Sequence, residues 1–348
     1  MTTIFDSIVI GAGQSGLATA YYLKEKGLKY LVLEKSSQTA GSWPFYYDSL
    51  KLFSPVQYSS LPGLRFQGTI NHYPTKSEVI SYLNNYVQKF DLNISTRKTV
   101  TEVLKEQDIF LIKTEGGDMF KTKTVISATG SFGSPNLPEI MGTESFAGEM
   151  IHSSQYYNPD RYKDKRVIVV GAGNSAVQIA YELRKTSKVT IATRSPIKFI
   201  PQTILKKDIH FWFHLIGLDY FPYGKKLSMD SSVLDRNLYK QAINNNNPDR
   251  RDMFVSIKKD GVIWNSGEEE KVDTIIFATG YHPNVNYLSS LKEALDEIGM
   301  PVHQEGISLA NKGLFYVGLP GQRSFSSATL RGVGKDAKYI VNKVKALL

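Results

Sequence analysis

The chain has 348 residues, of which 41% are hydrophobic and 22% charged, and its formal net charge is +9. This length and composition are typical of a soluble globular protein with about two domains. The chain contains no cysteine, which excludes a disulfide framework, a cysteine-ligated zinc site and a redox-active dithiol. Its basic residues are spread along the chain without a dense block. The charge therefore indicates a basic surface, and no nucleic-acid partner is expected.

The first predicted element is an apolar strand at residues 4–10, which ends at Gly11. No basic leader and no small-residue cleavage site precede it, so the sequence predicts a buried strand and not a signal peptide. No stretch reaches the ~18 apolar residues of a membrane span, so stable membrane insertion is not expected. A cytoplasmic protein is the expectation.

One pattern of elements occurs twice along the chain. Residues 7–34 comprise an apolar strand, a glycine-rich turn, a helical pattern and a second strand, and residues 166–194 repeat this plan. Each copy is followed by a β-rich stretch that ends in Ala-Thr-Gly, at residues 109–130 and 253–280. A single glycine fingerprint is weak evidence. Two of them, each between a strand and a helix, predict a pair of dinucleotide-binding folds.

The first glycine-rich turn has the residue types that a pyrophosphate site needs. Gly11 allows the tight turn, Gly13 lets the backbone approach the phosphates, and Gly16 lets the helix pack on the sheet. The N-terminus of the helix then offers unpaired N–H groups to the negative charge. Glu34 ends the next strand, where a carboxylate accepts hydrogen bonds from ribose hydroxyls and repels a 2′-phosphate. This site is predicted to bind FAD or NAD and not NADP.

The second turn differs at its adenosine end. Gly171 and Gly173 are retained, and Ala176 takes the third position, which the fingerprint allows. In place of the acid, this copy has Arg194 followed by Ser195. A guanidinium beside a hydroxyl suits a 2′-phosphate, so this site is predicted to bind NADPH. Arg194 could instead stack on an adenine or face solvent, and NADH would then also serve as a donor.

A third motif lies between the two copies. Phe146, Gly148, His152 and Tyr156 follow the spacing F-x-G-x-x-x-H-x-x-x-Y. This spacing resembles the fingerprint of class B flavoprotein monooxygenases, which include the flavin-containing and the Baeyer–Villiger monooxygenases. The terminal tyrosine resembles the flavin-containing branch, and Gly-Ser-Trp at residues 41–43 resembles the family's Gly-x-Trp. The chain looks most like the short bacterial members. In this family, the histidine belongs to the linker between domains, so it is not expected to be a catalytic base.

The duplication and the resemblance predict an α/β fold with two Rossmann-like domains of the glutathione-reductase type, three-layered and with β-meander crossovers. The FAD domain is expected to comprise residues 1–155 and 281–348, interrupted by an NADPH domain at residues 156–280. An aromatic-rich insertion at residues 199–250 belongs to the second domain. It could line a substrate channel, cover the flavin or form a homodimer surface, or its aromatic residues could simply be core.

The resemblance also implies a reaction. NADPH would reduce FAD by hydride transfer, and the flavin would form a C4a-(hydro)peroxide with O2 that oxygenates small sulfides, amines or ketones. Phe53 takes the place of the family's usual Asn beside the flavin, and Leu319 stands where many related flavoproteins have an Asp. An apolar ring cannot hydrogen-bond the peroxide. An NADPH-dependent flavin reductase or diaphorase therefore remains an alternative, and a non-catalytic sensor is a third hypothesis.

These motifs define the candidate residues of each site. For FAD they are Gly11, Gly13, Gln14, Ser15, Gly16, Glu34, Lys35, Ser42, Trp43, Val100, Thr129, Gly130 and Gln322. For NADPH they are Gly171, Gly173, Asn174, Ser175, Ala176, Arg194 and Ser195. Residues 324–331 are predicted to begin the last helix, with its N-terminus towards the flavin. His210 and His214 have i, i+4 spacing without a nearby acid, so no metal site is predicted.

Overall fold

Two parallel β-sheets flanked by helices make up the computed structural model, which describes residues 3–219, 221 and 232–348. The helices are α1 (Gln14–Glu25), α2 (Lys76–Phe90), α3 (Asn174–Leu183), α4 (Ile209–Leu215), α5 (Leu238–Asn244) and α6 (Val333–Leu347). Among the described residues, no helix combines the length and the apolar character that crossing a bilayer requires.

The strands are short and numerous, as expected for sheets joined by meanders. The first ten are β1 (Ile4–Ile10), β2 (Tyr30–Leu33), β3 (Ile94–Ser95), β4 (Val100–Glu106), β5 (Ile109–Thr114), β6 (Met119–Ser127), β7 (Ser134–Pro135), β8 (Glu149–His152), β9 (Arg166–Val170) and β10 (Lys188–Thr193). The others are β11 (Lys198–Pro201), β12 (Thr203–Ile204), β13 (Lys207–Asp208), β14 (Ser232–Asp235), β15 (Asp249–Asp252), β16 (Ser256–Lys258), β17 (Gly261–Ile263), β18 (Glu269–Lys271), β19 (Thr274–Phe277), β20 (Tyr281–His282), β21 (His303–Gln304), β22 (Ile307–Ser308) and β23 (Leu314–Tyr316).

The first sheet has the strand order β21-β22-β23-β6-β1-β2-β3, and β4 and β5 extend it antiparallel from β6. Strand β1 is parallel to β2 and β6. Because both faces of a parallel sheet are covered, β1 ends in an unbroken apolar run. Its side chains alternate between two cores: Val9 packs with helices α1, α2 and α6, whereas Ile8 and Ile10 pack with β4 and β5. The first domain is therefore three-layered.

The second sheet has the order β15-β10-β9-β19-β8, with β16, β17 and β18 forming a separate meander. The alternation is the same as in the first sheet. Val167 and Val169 of β9 pack with α3, whereas Ile168 and Val170 pack with the meander residues around Trp264. The predicted α/β fold, with two parallel sheets and meander crossovers, is confirmed.

The two connections between the sheets lie close to the expected boundaries. Strand β8 pairs in parallel with β19, so residues 149–152 lie in the second sheet, although the sequence assigned them to the first domain. Strands β7 and β20 pair antiparallel and tie the outgoing connection to the returning one. The predicted insertion ends at residue 250, inside the edge strand β15, which comprises residues 249–252. Residues 220 and 222–231 of the insertion fall outside the described part of the chain.

The prediction that residues 324–331 begin the last helix is wrong. Helix α6 begins at Val333, and the preceding residues form turns. The physical reason is competition from side chains. Ser327 Oγ accepts hydrogen bonds from the backbone N of Arg323 at 3.0 Å and of Ser324 at 2.9 Å. Serine hydroxyls that bond to nearby backbone groups favour turns over continued helix.

Candidate functional site

The three glycines of the first turn are not equally required by the fold. Gly11 has φ +101°, and a Cβ there would lie 2.9 Å from the carbonyl oxygen of Ala128. A Cβ on Gly16 would lie 1.8 Å from the carbonyl oxygen of Gly11. Gly13 has an ordinary φ of −74°, and a Cβ there would meet only the Cα of Gly41, at 3.8 Å. Packing therefore explains Gly11 and Gly16, whereas Gly13 borders open space at the N-terminus of α1.

The second turn shows the same division. Gly171 has φ +140°, and a Cβ there would lie 2.4 Å from the carbonyl oxygen of Ala278. Gly173 has φ −90°, and a Cβ there would have no described atom within 4 Å. Asn174, Ser175 and Ala176 follow it as the first turn of α3. Since the missing side chains at Gly13 and Gly173 serve no contact within the described chain, both open spaces fit a ligand that lies against the backbone, as a pyrophosphate does.

Glu34 is held against the first turn. Its side chain is buried, and Oε2 accepts a hydrogen bond from the backbone N of Ala12 at 2.7 Å. Oε1 accepts from the N and Oγ of Ser36, both at 2.9 Å. An ionised carboxylate has about four acceptor positions, so these bonds leave room for a ribose hydroxyl. The backbone N of Lys98 donates to the carbonyl of Glu34 at 2.8 Å, which brings the segment leading to Val100 to the same end of the sheet.

Gln14 joins three segments that are far apart in the sequence. Its Oε1 accepts a hydrogen bond from Trp43 Nε1 at 2.9 Å. Its Nε2 donates to the carbonyl of Ala328 at 2.7 Å. The next residue, Ser15, packs closely on Gly318: a Cβ added to Gly318 would lie 2.0 Å from the Ser15 Oγ. The glycine turn, the Gly-Ser-Trp segment and the C-terminal segment therefore meet at one place, as the FAD prediction requires.

The other predicted FAD residues differ in what they offer a ligand. Lys35 and Ser42 are exposed, and Thr129 is partly exposed. Gly130 has φ +70°, and a Cβ there would have no described atom within 4 Å, so it too borders open space.

The side chain of Gln322 forms hydrogen bonds with backbone groups of the chain. Its side chain is buried, and Nε2 donates to the carbonyl of Tyr316 at 2.8 Å. Its Oε1 accepts from the backbone N of Leu319 at 3.3 Å. The backbone N of Gln322 also donates to the carbonyl of Leu319 at 3.2 Å, so Gln322 braces the turn after β23.

Two guanidinium groups lie at the end of β10, where the sequence predicts the adenosine of NADPH. Arg194 and Ser195 are exposed, and the described residues give Arg194 no ionic or hydrogen-bond partner. The Nε of Arg250 donates to Thr193 Oγ1 at 2.8 Å, and its Nη2 lies 2.6 Å from Asp252 Oδ1. Sequence reasoning missed Arg250 because it enters from β15, which pairs with β10 only in the folded sheet. The Asp-Arg-Arg-Asp run in the sequence was the available signal.

His152 of the third motif is a structural hydrogen-bonding residue. It is 2% exposed. Its Nδ1 accepts from the backbone N of Ser154 at 3.1 Å, so the proton is on Nε2, which donates to the carbonyl of Gly280 at 3.0 Å. The ring of Tyr281 meets the imidazole edge-on, with centroids 4.7 Å apart. His152 therefore ties β8 to the turn after β19, where the chain returns to the first domain.

The other motif residues secure the same linker. A Cβ on Gly148 would lie 2.5 Å from the ring of Phe146, so the ring packs directly over this glycine. Tyr156 is fully buried, and its hydroxyl donates to Glu182 Oε2 at 2.8 Å. The motif fastens the linker to the second domain and brings no acid–base group to either open space.

The stability of the protein is expected to fall at acidic pH partly through His152. Burial lowers the pKa of His152 from its usual 6.5. The unfolded chain thus binds a proton that the folded chain excludes, so stability is full above about pH 6.5 and is lost as the pH falls towards the lowered value. His152→Gln should reduce this slope, whereas the same change at the exposed His282 should leave it unaltered. Urea unfolding from about pH 5 to about pH 8 measures both, and equal slopes in all three proteins would contradict the assignment.

The insertion contacts the first domain near Phe53. The Phe53 side chain is 36% exposed, and its carbonyl accepts a hydrogen bond from Gln202 Nε2 at 3.1 Å. The same Nε2 donates to Asp208 Oδ2 at 2.8 Å. Asp208 caps α4, and its Oδ1 lies 2.6 Å from Nδ1 of His210. The view that no acid accompanies the histidine pair was wrong, because the cap folds the carboxylate back over its own helix. In the described residues, no group of three potential ligands is placed to hold a metal.

Comparison with known proteins agrees with this geometry. Residues 8–213 match the family described as pyridine nucleotide-disulphide oxidoreductases. The uncharacterized oxidoreductase CzcO of Bacillus subtilis is 37% identical over 345 residues, which cover 98% of this chain and 99% of that protein. The indole-3-pyruvate monooxygenase YUCCA6 of Arabidopsis thaliana is 28% identical, with coverage of 97% and 89%. The structure of a flavin-containing monooxygenase from Stenotrophomonas maltophilia matches with a TM-score of 0.87 at 30% identity, over 99% of both chains.

The fold and the paired turns thus define a flavoprotein oxidoreductase with two dinucleotide sites. The chain belongs to the pyridine nucleotide-disulphide oxidoreductase family. Its cofactors are FAD and NADPH, and it resembles the flavin-containing monooxygenases, as the sequence predicted. Because it contains no cysteine, its own side chains cannot perform the disulphide chemistry in the family's name.

Proposed function

We propose that the protein is an NADPH-dependent FAD monooxygenase that oxygenates small soft nucleophiles such as sulfides and amines, or ketones. The observation that carries the proposal is the pair of open glycine turns with opposite charges at their adenosine ends, Glu34 in one and Arg194 in the other. The names of the relatives from Stenotrophomonas maltophilia and Arabidopsis thaliana, both monooxygenases, support the oxygenating half. Reduced FAD supplies the reaction with O2. The protein binds and orients the cofactors and the substrate, and it excludes water.

Each cofactor has a defined set of contacts in this proposal. The pyrophosphate of FAD lies against Gly13 at the N-terminus of α1, and Glu34 accepts from the adenosine ribose. Gln14 and Trp43 hold the segments that face the rest of the cofactor. The pyrophosphate of NADPH lies in the same way against Gly173 at the N-terminus of α3.

The 2′-phosphate of NADPH is assigned to Arg194. Arg194→Ala should lower kcat/KM for NADPH about 10- to 100-fold, because a charge-assisted hydrogen bond is lost, and should change NADH little. Arg251→Ala is the matched control, since Arg251 follows Arg250 on β15 but pairs with Glu268 at 2.6 Å instead. Initial rates of flavin reduction with both donors measure the effect. Equal losses of kcat/KM for NADPH and NADH would show that Arg194 does not bind the 2′-phosphate.

The oxygenating activity is tested with isotopically labelled O2. The FAD-loaded enzyme is reduced by NADPH without oxygen and then mixed with labelled O2 and a thioether. One labelled oxygen atom in the sulfoxide, per NADPH consumed, is the expected result. Unlabelled thioether with stoichiometric hydrogen peroxide would reject the proposal.

That second outcome would support a flavin reductase or diaphorase, the other candidate function. The observation that favours it is Phe53, a partly exposed ring without a polar side-chain atom. In the proposed placement of Phe53 beside the flavin, the ring cannot donate a hydrogen bond to a reactive oxygen species, so reduced flavin would return its electrons to O2 or to another acceptor.

A further inference from the structure

The edge strand β15 carries two charged side chains to the end of β10. Asp252 is level with Thr193 in the parallel pairing of the two strands. Side chains alternate along a strand, so Arg250 and Asp252 lie on one face of β15 and Arg251 lies on the other. Arg194 directly follows Thr193 in the sequence. Two guanidinium groups and one carboxylate are therefore gathered at the expected adenosine end of the second site.

The guanidinium group of Arg250 is fixed by its neighbours but only partly used by them. Its Nε donates to Thr193 Oγ1 at 2.8 Å, and Thr193 itself is buried. Its Nη2 lies 2.6 Å from Asp252 Oδ1, a contact that lacks hydrogen-bond geometry. The described residues give Nη1 no acceptor, and the side chain is 25% exposed. One nitrogen of a positioned guanidinium is therefore open to an anion from outside the chain.

The ion pair between Arg250 and Asp252 is weak enough to be displaced. The Asp252 side chain is 73% exposed, and exposed ion pairs contribute little because water and salt screen them. A phosphate group carries more negative charge than a carboxylate and matches the guanidinium fork. Arg250 can bind such a group without losing its bond to Thr193. Asp252 would then stay close to the phosphate and oppose its charge.

The neighbouring arginine on the same strand is used differently. Arg251 Nη2 lies 2.6 Å from Glu268 Oε2, and its guanidinium stacks on the Trp264 ring at 4.1 Å. These contacts hold Arg251 on the side of the β16–β18 meander. At the end of β10, by contrast, Arg194 and Arg250 have one ionic contact between them in the described part of the chain. One positive charge is therefore left there for an anion to balance.

We propose that Arg250 and Asp252 set the preference between NADPH and NADH. Arg250 binds the 2′-phosphate of NADPH through Nη1, beside Arg194. Asp252 opposes the phosphate, so it keeps the preference for NADPH below the value that two guanidinium groups would give. The 2′-hydroxyl of NADH carries no charge for either residue to attract or repel. The assignment rests on the proposed placement of NADPH at the second turn and adds to Arg194 the residues that determine donor specificity.

Calorimetric titration of the oxidised, FAD-loaded enzyme tests the proposal with 5′-AMP and adenosine 2′,5′-bisphosphate. The two nucleotides differ only in the 2′-phosphate. Arg250→Met keeps the length of the side chain and removes its charge. It should weaken binding of the bisphosphate about 10- to 100-fold and leave binding of AMP nearly unchanged. Arg251→Met, on the other face of β15, is the matched control and should change the affinity for neither nucleotide.

Asp252→Asn is a second variant, at an exposed position where the fold should be kept. It removes one negative charge and preserves the shape of the side chain. Binding of the bisphosphate should tighten about 3- to 10-fold, because a repulsion is lost, and binding of AMP should stay the same. Anaerobic flavin reduction should show changes in the same directions for NADPH, with NADH as the reference.

Equal weakening of both nucleotides by Arg250→Met would mean that Arg250 serves the adenine or the strand, and it would overturn the proposal. So would a wild type that binds the two nucleotides equally, an unchanged bisphosphate affinity in Arg250→Met, or an unchanged or weakened one in Asp252→Asn. The titration involves no oxygen transfer. Absence of labelled sulfoxide from the wild type would therefore reject the oxygenase function and leave this assignment in place.

Discussion

Gly13→Val is expected to yield a folded protein that purifies without FAD. The φ of −74° at this position suits any residue, and a Cβ would have only the Cα of Gly41 nearby, at 3.8 Å. The valine methyl groups would instead fill the space assigned to the pyrophosphate. Loss of two charge-assisted hydrogen bonds to backbone N–H groups would weaken FAD binding roughly 10²- to 10⁴-fold.

The ratio of flavin to protein in the purified variant measures this effect, and far-ultraviolet circular dichroism confirms that the fold is kept. Gly16→Val is the contrasting change. A Cβ there would lie 1.8 Å from the carbonyl oxygen of Gly11, so this variant should fail to fold. A Gly13→Val protein with a full complement of FAD would contradict the placement of the cofactor.

Gly173→Val is expected to keep FAD and lose reduction by NADPH. The second turn is open in the same way, since a Cβ on Gly173 would have no described atom within 4 Å. The affinity for NADPH should fall roughly 10²- to 10⁴-fold, for the same reason as in the first turn. NADH should be affected equally, because the pyrophosphate is common to both donors.

Anaerobic reduction followed by flavin absorbance provides the measurement. Dithionite, which needs no nucleotide site, should still reduce the variant at the wild-type rate. The two valine variants are controls for each other, since one should lose FAD and the other should keep it. Normal reduction of Gly173→Val by NADPH would mean that the donor binds elsewhere.

Most of the fold could be predicted because its signals are local. A strand, a glycine turn and a helix are specified by neighbouring residues, and the order repeats in the second half of the chain. Glu34 could also be predicted from its neighbours, because it directly follows β2 in the sequence. The prediction of a helix at residues 324–331 failed because the hydroxyl of Ser327 bonds to the backbone, and helical periodicity does not report such a bond.

Parts of the candidate site could not be predicted because their partners are distant in sequence. Arg250 reaches Thr193 only through the pairing of β15 with β10. The contact of Gln202 with Phe53 joins the insertion to the first domain, and nothing in either local sequence indicates it. Even the pair of Asp208 and His210 was overlooked, although the residues are close in sequence, because the cap geometry decides their contact.

By itself, the sequence determined that this chain binds two dinucleotides. It distinguished the two sites by an acidic residue at one adenosine end and a basic residue at the other. The tertiary structure decided which glycines serve packing and which border open space, since that depends on atoms from other strands. It also decided that Gln14 joins three distant segments. Turns and helices arise from short-range forces, whereas a binding site arises where the folded chain brings distant residues together.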